Sequence, residues 1–108
     1  MGEKFYFVFL DNKELNRLRF WIYTDTRRVM NFVVQYETFI NSEWHPVVGY
    51  DLAHNSFHRD VMYSKGKKEK YSIPIQNLKD ALNYAEQDLE DRWEFYRGRF
   101  YKEFKKKK

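Results

Sequence analysis

A chain of 108 residues with 20 Lys and Arg, 16 Asp and Glu and no cysteine has the length of one domain. The missing cysteines exclude disulfides, thiolate zinc sites and cysteine nucleophiles together. Its formal charge of +4 comes entirely from the closing run Lys105–Lys108, so the body is neutral and overall basicity is no argument for nucleic acid. Aromatics at 20% supply a large core, and a chain with 33% charged residues and only four glycines leans towards a thermophile's composition. The opening "MGEKFYFVFLDNKE" meets charge too early for a signal peptide. No stretch approaches the roughly 20 apolar residues that cross a bilayer. A soluble, cytoplasmic protein with no membrane partner is expected.

In chain order, Lys4 to Leu10 ("KFYFVFL") is aromatic and β-branched and predicts a strand. "DNKELN" interrupts it, as a turn or as a short helical turn that Asp11 caps with Glu14 three residues on. Leu18 to Tyr23 predicts a second strand, "TDTRR" a turn, and Val29 to Ile40 a long third strand with Val34, Tyr36, Thr38 and Ile40 on one face. "NSEW" supplies a tight hairpin and Trp44 to Leu52 the return strand. Phe57 to Ser64 reads as a further strand, "KGKKEK" as an exposed charged turn, and Tyr71 to Ile75 as an extended segment that Pro74 confines to an edge.

From Asn77 the period turns helical. Leu78, Leu82, Ala85, Leu89, Trp93, Tyr96, Phe100 and Phe104 recur at steps of three and four, and Asn77 is a suitable N-cap. Acidic residues gather in the first half of this segment and Arg97, Arg99 and Lys102 near its end, which complements the helix dipole. The fold class predicted is α+β: a curved antiparallel meander of five or six strands with one long C-terminal helix across one face. Residues 1–104 form the single domain and 105–108 a basic, disordered tail.

Candidate chemistry concentrates in "YDLAHNSFHRD", Tyr50 to Asp60. His54, His58 and Asp60, with Asp51 nearby, have metal-ligand identities. On a strand, however, only His58 and Asp60 share a face, so no metal and no cofactor are assigned. Metal-free acid–base chemistry is the second reading: two imidazoles titrating near neutral pH supply base and acid, as RNA cleavage through the 2′-hydroxyl requires. Arg59 would hold a phosphoryl group and Tyr50 or Tyr63 a phosphate oxygen. Regular alternation puts Arg59 opposite His58, so convergence needs a bulge. The third reading is structural, with Asp51 and Asn55 as turn residues and Tyr50 and Phe57 as core flanking the loop. His45, before Pro46, is expected to pack against the hairpin. Trp93, Tyr96 and Phe100 lie on the apolar stripe and are expected in the core.

The order "FVVQYETFINSEWHPVVGYDLAHNSFHRDVMYSKGKKEK", followed by "DLEDRWEFYRGRF", resembles a family of small uncharacterised prokaryotic proteins with an "RYD-AHG-x-HRD" core. That resemblance covers roughly residues 30 to 104 and implies no activity. The core alone is also similar to that of TumE-like toxins of toxin–antitoxin pairs. This looser resemblance implies a small RNA-directed toxin neutralised by a cognate antitoxin, and by motif position it carries over Asp51, His54, His58 and Arg59. The chain has Asn55 where a glycine is usual and Asp60 where the toxins tend to carry another histidine.

The expectation is therefore a toxin-like ribonuclease in which His54 and His58 share base and acid roles, Arg59 binds phosphate and Asp51 orients a histidine. Its partners would be RNA and an antitoxin protein, and so many aromatics in a short chain add a homodimer. Against it stands a non-catalytic protein-interaction module in which the same residues hold the loop. An enzyme needs both imidazoles in one cleft, whereas a module can separate them and offers an apolar patch elsewhere.

Overall fold

The computed structural model describes residues 1–63 and 66–105. Six strands follow one another as β1 (Gly2–Phe9), β2 (Asn16–Asp25), β3 (Arg28–Ile40), β4 (Glu43–Ala53), β5 (Ser56–Met62) and β6 (Lys68–Ser72). They pair antiparallel in that order in one open sheet, and a single helix, α1 (Leu78–Lys105), follows. This is the α+β meander that the alternation and the later change of period predict.

Two-residue hairpins set the register. Thr26–Arg27, Asn41–Ser42 and His54–Asn55 all take φ between 47° and 66°, the pair of left-handed residues that a type I′ turn demands because its twist matches that of the strands. The wider β1–β2 connection is pinned differently. Asp11 Oδ1 accepts from the amides of Leu15 and Asn16, each at 3.1 Å, and Oδ2 accepts from Asn16 Nδ2 at 3.0 Å. Asn16 Oδ1 in turn accepts from the hydroxyls of Tyr36 at 2.6 Å and Thr38 at 2.8 Å. "DNKELN" is therefore a turn held by its own polar side chains, not a capped helix.

One face of the sheet carries Leu18, Phe20, Phe32, Val34, Tyr36, Val48, Tyr50 and Phe57, all buried under α1. The helix contributes Ala81, Ala85, Leu89, Tyr96 and Phe100 and rests mainly on β3, then β4. Asn77 caps it by accepting from the Asp80 amide at 3.0 Å, and Lys102 and Lys105 occupy its last turn. The β3–β4 register shifts between Tyr36 and Glu37, opposite Val47, so that β4 accommodates Pro46 without losing its inner face.

Two boundaries differ from expectation. Lys68, Glu69 and Lys70, expected in a turn, start β6, because backbone pairing to Val61 and Met62 does not depend on apolar side chains. The helix runs through Lys105, one residue into the expected tail, and residues 106–108, like Ser64 at the end of the expected fifth strand, lie outside the described residues. Among the described residues no helix is long and apolar enough to cross a membrane.

Candidate functional site

The β4–β5 hairpin separates the residues that the sequence crowds together. Register pairs Tyr50 with Arg59 and Asp51 with His58, with no bulge. Side chains of paired residues share a face, so Tyr50 and Arg59 turn towards the helix, whereas Asp51, His58 and Asp60 turn to the opposite face. His54 belongs to neither, because it is the exposed first residue of the type I′ turn. Histidine and asparagine tolerate that left-handed conformation better than most side chains, which gives His54 and Asn55 a backbone reason for being there.

On the outer face, His58 Nδ1 lies 2.9 Å from the Ser56 carbonyl and donates to it. Asp60 is buried and forms an ion pair with Lys70 at 3.2 Å. Among the described residues no group of three or more His, Asp or Glu is placed to hold a metal ion. The outer face thus carries one imidazole and two carboxylates, without the second histidine or the arginine. His45 packs its ring against Phe104 at 5.2 Å and Phe100 at 6.1 Å, with Nε2 3.2 Å from the Ile40 carbonyl.

The inner face builds something the motif does not announce. Tyr50 and Tyr96 both donate to Oδ2 of Asp88, at 2.6 and 2.7 Å. Arg59 lies beside this trio and faces Tyr71, its guanidinium carbon 5.4 Å from the ring centroid. Burial opposes its charge, but the neighbouring Tyr50, Tyr96 and Asp88 more than offset that and hold Arg59 above the ordinary arginine value. Burial and the bond to Asp88 push the Tyr96 hydroxyl up to about 12 and raise Tyr50 further. All three groups therefore keep their ordinary charge states at neutral pH.

Around Arg59 opens a cleft of about 230 Å³, lined by Arg59, Arg92, Arg99, Tyr63, Tyr71 and Phe95, with Tyr96 and Val61 at its base. Arg92 packs over the rings of Phe95 and Tyr96 at 5.3 and 5.6 Å, and Arg99 over Tyr63 at 4.8 Å. Phe95 is 60% exposed and Tyr71 42%, so both rings offer open faces. Arg59 Nε and Arg99 Nη2 are buried without a hydrogen-bond partner among the described residues. On the β6 side, Glu69 accepts from the hydroxyls of Tyr63 and Tyr71, and those two bonds hold its carboxyl below the usual value. Tyr63 is shared with a neighbouring depression of about 400 Å³ that Lys67 and Lys68 also line.

Three cations beside exposed aromatic faces make a site for an anion attached to a flat ring. Of the residues expected at the site, Arg59 and Tyr63 line this cleft and Tyr50 supports Arg59 from beneath. Asp51, His54 and His58 lie elsewhere. Arg92 and Phe95 were not singled out in the sequence, and Arg99 only as one of the cations that complement the helix dipole.

Residues 1–106 match the model of DUF7718, a domain of unknown function. No curated protein and no solved structure matches the chain.

Proposed function

The chain belongs to the DUF7718 family, and we propose that it is an RNA-directed protein that grips a single-stranded segment in the Arg59–Arg92–Arg99 cleft. In this reading the arginines hold phosphate, while Phe95 and Tyr71 stack bases, a combination that suits single strands because every base has a π-face. The observation that carries it is the convergence of Arg59, Arg92 and Arg99 on one cleft beside the exposed rings of Phe95 and Tyr71. The depression with Lys67 and Lys68 continues the basic track for a longer strand.

The toxin–antitoxin role, a cognate antitoxin and a cytoplasmic setting accompany this reading on the strength of the resemblance alone. Cleavage by His54 and His58 is the weaker part of it, since the hairpin would have to rearrange to bring both imidazoles to one phosphate. The protein-interaction module gains from the same separation of the histidines.

The test is fluorescence anisotropy of a labelled single-stranded RNA oligonucleotide with wild type, Arg92→Ala and Arg99→Ala, and recovery of the RNA on a gel. Arg99→Ala should weaken binding about tenfold, the low end for one charged hydrogen bond. Three released counterions should give a salt slope of about −2 for wild type. Equal binding by all three proteins would end the cleft reading. RNA cut by wild type but not by His54→Ala or His58→Ala would return cleavage to the front.

A further inference from the structure

The two edges of the sheet are treated differently. β6 is five residues long with charges at Lys68, Glu69 and Lys70, which discourages pairing with another chain. β1 is eight residues, "GEKFYFVF", exposed along its whole length and without proline, and no register shift interrupts its pairing with β2. Among the described residues no element covers it, and its only charges, Glu3 and Lys4, lie at one end and leave Phe5 to Phe9 uncharged.

The direction of its free backbone groups follows from one hydrogen bond. The Leu10 amide donates to the Asn16 carbonyl at 2.8 Å, continuing the register in which Phe9 faces Arg17. Hydrogen-bonded and non-bonded pairs alternate in an antiparallel ladder, so Val8, Tyr6 and Lys4 bond to β2. Glu3, Phe5, Phe7 and Phe9 therefore point their N–H and C=O groups off the open edge.

We propose that a second copy of this chain pairs antiparallel with β1, its two-fold axis passing beside Tyr6, to join the sheets into one of twelve strands. That register sets Phe5 against Phe7 of the second copy and Glu3 against its Phe9, so all four outward-facing residues of each copy bond, giving eight backbone hydrogen bonds. An axis at Phe5 or at Phe7 leaves outward groups of β1 without a partner inside the strand. Outer-face rings Phe5, Phe7 and Phe9, exposed by 55, 41 and 43%, would then meet across the axis. Arg19 and Arg17 already cover Phe5 and Phe7, at 5.1 and 4.1 Å.

Charge on the helix face agrees with the same occupant. Glu86 stands close enough to Tyr6 and to Glu90 to be felt by both, and its carboxyl is raised by burial and then by Glu90. Neither glutamate has a salt bridge among the described residues. The proposed register brings Lys4 of the second copy opposite Val8, two residues from Tyr6, on that acidic side.

Sedimentation over a dilution series into the micromolar range tests this with the full chain. The expected wild-type mass is twice the chain's 13.5 kDa. Phe7→Pro should give the single-chain mass with unchanged far-ultraviolet circular dichroism, because the Phe7 amide makes no bond to β2. Amide exchange supplies a reading independent of any variant: Glu3, Phe5, Phe7 and Phe9 should gain protection as wild-type concentration rises. A wild type that stays at the single-chain mass, or a folded Phe7→Pro that stays at twice it, would overturn the proposal. So would outward amides that exchange freely while the protein is dimeric.

Discussion

The two faces of the β4–β5 hairpin carry nearly the same number of polar side chains and differ in what surrounds them. On the outer face, which no other described element covers, His58 bonds the Ser56 carbonyl and Asp60 pairs with Lys70, while Asp51 Oδ1 is buried without a hydrogen-bond partner among the described residues. On the inner face Arg59 stands under the end of α1, where Asp88, Tyr96, Arg92 and Arg99 arrive from a segment some thirty to forty residues away. Chemistry-bearing residues adjacent in sequence were dispersed by a period of two, whereas residues far apart in sequence were gathered by one helix crossing the sheet. A crowded motif on a strand is therefore two half-motifs, and only the half that faces another element can become a pocket.

That contrast can be broken first at Arg59. Arg59→Met removes the central cation and should lower RNA affinity by roughly thirtyfold, about 2 kcal/mol for a charged hydrogen bond, as read by anisotropy. His58→Ala, its neighbour on the other face, should leave affinity within about twofold, since a half-buried side chain facing away from the cleft makes no contact with its occupant. Equal losses from the two would erase the distinction between the faces. Next come the stacking rings. Phe95→Ala and Tyr71→Ala should each cost about 1 kcal/mol of binding, the low end for base stacking, and should leave the salt slope unchanged because neither carries charge.

Alkali sharpens the inner side alone. The Tyr96 hydroxyl titrates near 10 when unfolded and is held at about 12 in the fold, so its neutral form favours the native state. This contribution is complete below about pH 10 and is lost as pH rises through about 12. Thermal midpoints should accordingly fall across that window, and less steeply in Asp88→Asn, which removes the carboxylate that helps to raise Tyr96. The smallest effect belongs to the hairpin tip. Asn55→Gly relieves a positive φ of 61° and should add about 0.5 kcal/mol of stability in urea titration, with RNA binding untouched.

Strand order, the long helix and its cap were legible because alternation and the change to a helical period survive in the residues themselves. Val34, Tyr36, Thr38 and Ile40 do share a buried face, and Asn77 does cap α1. The split between His58 and Arg59 was legible too, as the consequence of a regular strand, and the register of β4 and β5 realises it. The cleft was not legible. Arg99 read only as a cation complementing the helix dipole and Arg92 was not singled out, because nothing local says that the stripe lies against β3 and β4 and leaves this flank facing β5 and β6. Tyr96, by contrast, was expected in the core and is buried there; its hydroxyl reaches Asp88, the one polar atom of the site that core membership hid. His54 looked like chemistry because histidine is rare, and its positive φ of 54° supplies a conformational reason for it instead.

The comparison of the two faces is tested most directly by titrating a short single-stranded RNA into isotopically labelled protein and following every backbone amide by NMR. The account predicts shifts confined to β5, β6 and the second half of α1, centred on Arg59, Tyr71, Phe95 and Arg99, with His54 and its turn unmoved. Shifts centred on Asp51, His54 and His58, or none at all, would contradict it.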